Sequence, residues 1–136
     1  MRRILPINTD AALLILRVVL GIIMVYHGWP KLTNLGGTIQ GFTGMGIPLP
    51  ALSAVLATVA EFGGGLLLLL GVLTDIAGLL FALEMLAAII LVHAKNGFAV
   101  SEGGVEWPLA LMAMALAIAL AGPGRFSVGG RASPTV

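Results

Sequence analysis

Cysteine is missing from this chain of 136 residues. Disulfides, thiolate nucleophiles, cysteine-ligated iron–sulfur clusters and covalently attached haem are therefore excluded. Charge is nearly as scarce. Only 10% of the residues are Asp, Glu, Lys or Arg, where a soluble domain carries about 25%. So few charges cannot cover a core, which disfavours both a soluble enzyme and a disordered chain. The net charge of +1 leaves no electrostatic footprint for nucleic acid. There is no phosphate-binding loop, catalytic serine motif or zinc-ligand spacing, and no metal site is expected. What fills the chain instead is 59% hydrophobic residues, with a mean hydropathy of +1.09. The solvent this composition suits is lipid.

The apolar residues fall in four runs: Ala11 to Trp29, Pro50 to Gly71, Ile76 to Ala94 and Trp107 to Gly122. At ~1.5 Å per residue the first three cross a ~30 Å hydrocarbon core as helices. The fourth is short and spans with help from its flanks or by thinning the bilayer. The runs are continuous and rich in Leu and Ala, without the alternation of a membrane barrel. The expected fold is all-α, an integral membrane antiparallel four-helix bundle forming one membrane domain over 1–136. Arg17 interrupts the first run, and Tyr26-His27-Gly28-Trp29-Pro30 offers no small-residue cleavage site. The run therefore reads as a retained helix, not a signal peptide. Arg2, Arg3, Arg125 and Arg131 flank one side, against Lys31 and Lys95 on the other, which places both termini in the cytoplasm. The tight link Val72-Leu73-Thr74-Asp75 makes the second and third helices antiparallel neighbours. The outer connection 30–49 is Gly-rich, yet Leu35, Ile39 and Phe42 share a helical face. It is either a short interfacial helix or a flexible loop. Asn96-Gly97 and Gly103-Gly104 mark turns in the second outer connection. Trp29 and Trp107 sit where interfacial anchors belong.

Three charges lie inside the apolar runs: Arg17, Glu61 and Glu84. Each costs ~3 kcal/mol at a helix centre on insertion scales and must find a partner. Counted from the cytoplasmic helix ends, both glutamates lie roughly 12–15 Å deep and Arg17 ~9 Å. The long arginine side chain reaches further, so a buried Arg–Glu–Glu cluster is expected. Ala54, Ala57, Gly64 and Gly65 form a stripe of small residues around Glu61, which turns it toward a neighbouring helix. Glu84 shares its face with Ala87, Ala88 and Leu91. Two readings stand. The cluster is an ion pair that fixes helix packing. Alternatively, one glutamate holds a proton, and the neutral cluster serves proton-coupled redox chemistry or binds a polar ligand head.

At the outer rim lie His27, His93, Lys31, Lys95 and Glu106. They read either as headgroup contacts or as a site for a quinone head, which needs hydrogen-bond donors and a proton route. Bis-histidine haem b is the weakest reading. At 100° per residue His93 points about 180° away from Glu84, so a regular helix cannot aim both at one pocket. His27 and Lys31 share a face if the helix continues past Pro30, a residue that tends to end helices. Met85, Met112 and Met114 read as gap-filling core residues, with a copper site the remote alternative.

These residues also carry a family resemblance. The chain resembles DoxX-family membrane proteins through Arg17, His27-Gly28-x-x-Lys31-Leu32, Gly46-Ile47-Pro48 and Glu61-Phe62-Gly63-Gly64 with its leucine run and Gly71. The resemblance continues through Asn96-Gly97-Phe98, Gly104-x-Glu106-Trp107-Pro108-Leu109 and the tail Gly122-Pro123-Gly124-Arg125-Phe126-Ser127. It implies a four-helix, multi-pass protein of the bacterial inner membrane, associated with redox systems and in some members linked to quinone. The family tail usually ends Tyr-Ser-Leu-Asp. Here it reads Phe126-Ser127-Val128-Gly129, without the hydroxyl or the carboxylate.

The candidate polar pocket is thus Arg17, His27, Lys31, Glu61, Glu84, His93 and Glu106. The expected function is a quinone-linked membrane subunit. The alternatives are a non-enzymatic scaffold or assembly factor, or a bundle that binds a small lipophilic ligand. No cofactor motif is visible, and no catalytic residue can be assigned. The candidate partners are the bilayer, a quinone or similar ligand, a redox partner protein and a further copy of the chain.

Overall fold

A computed structural model describes residues 2–130; Arg131, one of the charges counted for orientation, lies outside them. The described residues form helices and no strand. In chain order these are α1 (Thr9–Thr33), α2 (Leu35–Gly44), α3 (Pro50–Leu70), α4 (Thr74–Asn96) and α5 (Glu106–Ala121). α1, α3 and α4 have 25, 21 and 23 residues and are apolar enough to cross a membrane. α5 is shorter, with 16 residues.

Local chemistry sets the ends. The Asn8 side chain accepts from the Ala11 N–H and starts α1, with Asp10 in the first turn. Pro30 does not stop this helix, which runs on to Thr33. Asn34 then donates its backbone N–H to the Pro30 carbonyl and caps α2 by accepting from the Gly37 N–H. The connection 30–49 therefore contains a ten-residue helix. α3 ends at Gly71, whose φ of +75° is the left-handed conformation that glycine adopts without a steric penalty.

α1 and α3 approach closely along a glycine seam. A Cβ on Gly28 would stand 2.5 Å from the Phe62 nitrogen, and one on Gly65 3.0 Å from the Gly21 carbonyl. α5 packs along α4, and α2 lies against the first half of α3. α3 and α4 touch near the Gly71 turn but diverge toward Pro50 and Asn96. Leu20, Met24, Leu68, Phe81, Leu111, Ala115 and Ile118 are buried together between the helices. The outward faces are apolar too: Ile15, Val19 and Ile22 on α1, and Leu79, Leu80 and Leu83 on α4, are exposed. A surface of that kind suits acyl chains, not water.

Two irregularities shape the interior. α3 holds one π turn at Val59–Gly63 and α4 another at Ile89–His93. Such turns insert a residue into the helix and are frequent at functional sites.

Candidate functional site

Every Cα–Cβ bond in a helix leans toward that helix's N-terminus. Lys31, in the last turn of α1, therefore leans back into the bundle. Glu61 runs on the antiparallel α3 and leans toward Pro50. The two meet: Lys31 Nζ donates to Glu61 Oε1 at 3.0 Å and also to the His27 carbonyl at 3.1 Å. Glu61 is buried, and Lys31 is partly buried. The Glu84 carboxyl of α4 lies within interaction range of Glu61. Each carboxyl keeps one buried oxygen, Oε2, without a partner.

Arg17 does not join this group, contrary to the cluster expected from depth alone. The same backward lean carries its side chain toward the Asp10 end of the bundle, away from Glu61. There Nη2 donates to the Phe126 carbonyl at 2.6 Å, while Nε and Nη1 are buried without partners. The tail around Phe126 is tied down on both sides. The Arg125 N–H donates to Asp10 Oδ1 at 2.9 Å, and the Val128 N–H to the Leu70 carbonyl at 2.9 Å.

The diverging halves of α3 and α4, with α2 above them, enclose a chamber of ≈ 540 Å³. Its polar lining is Lys31, Glu61, Glu84, His93 and Ser53; apolar side chains make up the rest. Leu56 and Val59 of α3 and Leu83 and Leu91 of α4 line it and are also exposed outward, so its mouth opens sideways onto the apolar surface. Phe42 of α2, with Met45 and Ile47 after it, closes the top. These wall residues were not anticipated, although the Leu35, Ile39, Phe42 face was their signal.

Glu84 and His93 line the same chamber, against the 180° separation of a regular helix. The π turn at Ile89–His93 explains the difference. One inserted residue reduces the effective step from nine residues to eight, which is about 80° at 100° per residue. His93 is fixed in addition by a 2.7 Å hydrogen bond between Nδ1 and the Gly103 carbonyl. A carbonyl only accepts, so Nδ1 donates in this bond and Nε2 takes no part in it. Glu106 lies outside the chamber. It is exposed, and its Oε2 accepts from the Val100 N–H at 3.0 Å, which holds the 96–106 connection together. Burial had no part in the expectation for Glu106, which came from depth alone. His27 packs its ring edge-on to Tyr26 and lines a second, smaller cavity of ≈ 250 Å³. That cavity shares Glu61, Met85, Ala88 and His93 with the first.

Comparison with known sequences bears on this arrangement. The sequence model of the DoxX family matches residues 12–94, more than half of the chain. The chain belongs to the DoxX family. The matched stretch holds Arg17, His27, Lys31, Glu61, Glu84 and His93, whereas Glu106 and the tail lie beyond it. A DoxX-type relative in Bacillus subtilis (strain 168), named "Putative oxidoreductase CatD", is 39% identical over 109 residues, covering 80% of this chain and 78% of its own length. Two proteins of Escherichia coli (strain K12) are also similar. Inner membrane protein YphA is 32% identical over 121 residues, covering 85% of this chain and 86% of its own. Inner membrane protein YqjF is 33% identical over 119 residues, covering 88% and 90%. No solved structure matches. With three helices able to cross a membrane, this DoxX protein is a multi-pass protein of the inner membrane.

Proposed function

We propose that the chamber between α3 and α4 binds a small lipophilic molecule with a polar head, of the quinone class, and that the protein serves a membrane redox system as a quinone-linked subunit. One observation carries the reading. A cavity of ≈ 540 Å³ has apolar walls, a sideways mouth and one polar cluster of Lys31, Glu61, Glu84 and His93. That size and composition are typical of small-molecule sites. The mouth lets a ligand dissolved in the bilayer enter without crossing water. Lys31 supplies a cationic donor for a carbonyl oxygen of the head. Lys31 balances one carboxylate, and a single proton on the Glu61–Glu84 pair makes the cluster neutral. That proton satisfies buried carboxyl oxygens which otherwise lack partners. A redox-active head that takes up or releases protons needs such a group beside it. The relative named as an oxidoreductase points the same way.

In this reading α5 completes the bundle as a fourth span, and both termini face the cytoplasm. The chamber then lies in the outer half of the membrane.

Purified protein in nanodiscs, titrated with a short-chain quinone analogue, tests the proposal. The chain should bind it, and lipid extraction should recover a co-purified quinone. Ala57→Leu, which fills the chamber beside Glu61, should weaken binding by roughly tenfold or more, the effect of about 1.4 kcal/mol. Binding that ignores Ala57→Leu and Glu84→Gln would remove the chamber from the account. No binding at all, with a partner protein co-purifying instead, would favour an assembly factor.

A further inference from the structure

We infer that the second cavity is a water-filled vestibule through which protons pass between the aqueous phase at the Lys31 end of the bundle and the Glu61–Glu84 pair. What the proton is used for rests on the ligand chamber proposed above. The vestibule itself rests on geometry alone.

The cavity lies between α1, α3, α4 and α5, and it measures ≈ 250 Å³. One water needs only ~10–15 Å³, together with two to four polar partners. His27, Glu61 and His93 supply partners from three different helices. His27 and Trp107 are exposed at the Lys31 end, so the cavity opens there. Its inner end meets the ligand chamber at Glu61, Met85, Ala88 and His93.

Toward the Asp10 end the way is shut. Leu20, Leu68, Phe81, Leu111 and Ile118 are at most 4% exposed. A Cβ on Gly64 would stand 3.0 Å from Met24 Cε, so no gap separates α1 from α3 at that level. Beyond this apolar plug Arg17 is 1% exposed and covered by the tail.

The ionisable groups facing the pair are His27 and Lys31 from α1 and His93 from α4; α2 and α5 bring none to either cavity. The step is a proton transfer alone. A hydronium in the vestibule gives its proton to a carboxylate of the pair and is left as water; the proton returns to water by the same route, with no other bond made or broken. His93 can take part through Nε2, because Nδ1–H is held by the Gly103 carbonyl.

The absence of cysteine makes a direct test possible. Ala88 lines both cavities, and Ala88→Cys is a small change there. A thiol reacts as its thiolate, which forms in water and not in hydrocarbon. Right-side-out and inside-out membrane vesicles would be treated with a small, charged, membrane-impermeant methanethiosulfonate, and labelling read by intact mass. Ala88→Cys should react only when the reagent reaches the Lys31 end, and roughly tenfold or more faster than Ile118→Cys in the plug. Met85→Cys lines the same two cavities and repeats the measurement if Ala88→Cys does not accumulate. Residues 85 and 88 inert from both sides, or labelled from the Asp10 end, would overturn the vestibule. Ligand titration stands apart from this labelling, so the chamber and the vestibule can fail separately.

Discussion

Lys31 and Glu61 form a 3.0 Å ion pair between the end of one long helix and the middle of the next. The lysine is the cationic partner of the buried carboxylate among the described residues and reaches it by leaning down the helix axis. Removing Lys31 leaves that carboxylate alone in a low-dielectric setting. Because the lysine is partly exposed, Lys31→Met should cost about 3 kcal/mol, the lower end of the range for a broken buried pair. The double variant Lys31→Met/Glu61→Gln should recover much of that loss. Thermal unfolding in detergent reads both, and equal melting of the single and double variants would contradict the pairing.

Arg17 should matter through the tail. Its bond to the Phe126 carbonyl is charge-assisted, worth ~1.5–3 kcal/mol. Arg17→Ala should lower stability by at least that amount and should make trypsin cut sooner after Arg125. Arg3→Ala, on an exposed residue, should do neither. Unchanged proteolysis in Arg17→Ala would show that the tail docks without it.

Gly28 should tolerate no side chain. Its Cβ position is 2.5 Å from backbone of α3, so Gly28→Ala must push the two helices apart. Overpacking of this kind costs ~1–3 kcal/mol. Gly36→Ala meets nothing within 4 Å and serves as the control. Folded yield and melting temperature separate the two.

Glu106 offers a test of which polar residues belong to the chamber. Glu106→Ala removes the acceptor for the Val100 N–H and should cost ~1 kcal/mol. It should speed amide exchange in residues 97–105 and leave ligand affinity unchanged. A ligand effect equal to that of Glu84→Gln would return Glu106 to the site.

Orientation is read with a reporter fused after Gly130. A reporter active only in the cytoplasm should give signal there, as the Lys and Arg asymmetry requires. Silence of that reporter, with signal from one active only outside, would reverse the sidedness of chamber and vestibule together.

The helices were legible because hydropathy runs longer than a membrane is thick leave few alternatives. The burial of Glu61 was legible too, from Ala54, Ala57, Gly64 and Gly65 on its face. Partners were harder to read. Depth counting put Arg17 beside the glutamates and Lys31 at the rim, because it tracks Cα positions and ignores the lean of the side chain. Applied to helices of opposite direction, that lean separates Arg17 from Glu61 and joins Lys31 to it. The meeting of Glu84 with His93 depends on a π turn at Ile89–His93, for which the run Ile-Ile-Leu-Val-His gives no local signature. Glu106 looked like a site residue because its loop partner is a backbone N–H, which composition does not reveal.

The arginine of the first long helix finds its acceptor 109 residues later, at Phe126. During synthesis α1 is made before the Phe126 segment, so its guanidinium lacks this acceptor until the chain has grown past residue 126. A product truncated before Phe126 keeps a bare cation in its first helix, while the finished chain covers it. Arrival of the tail is thus recorded as a change in the solvation of one residue, whose charge is the same before and after.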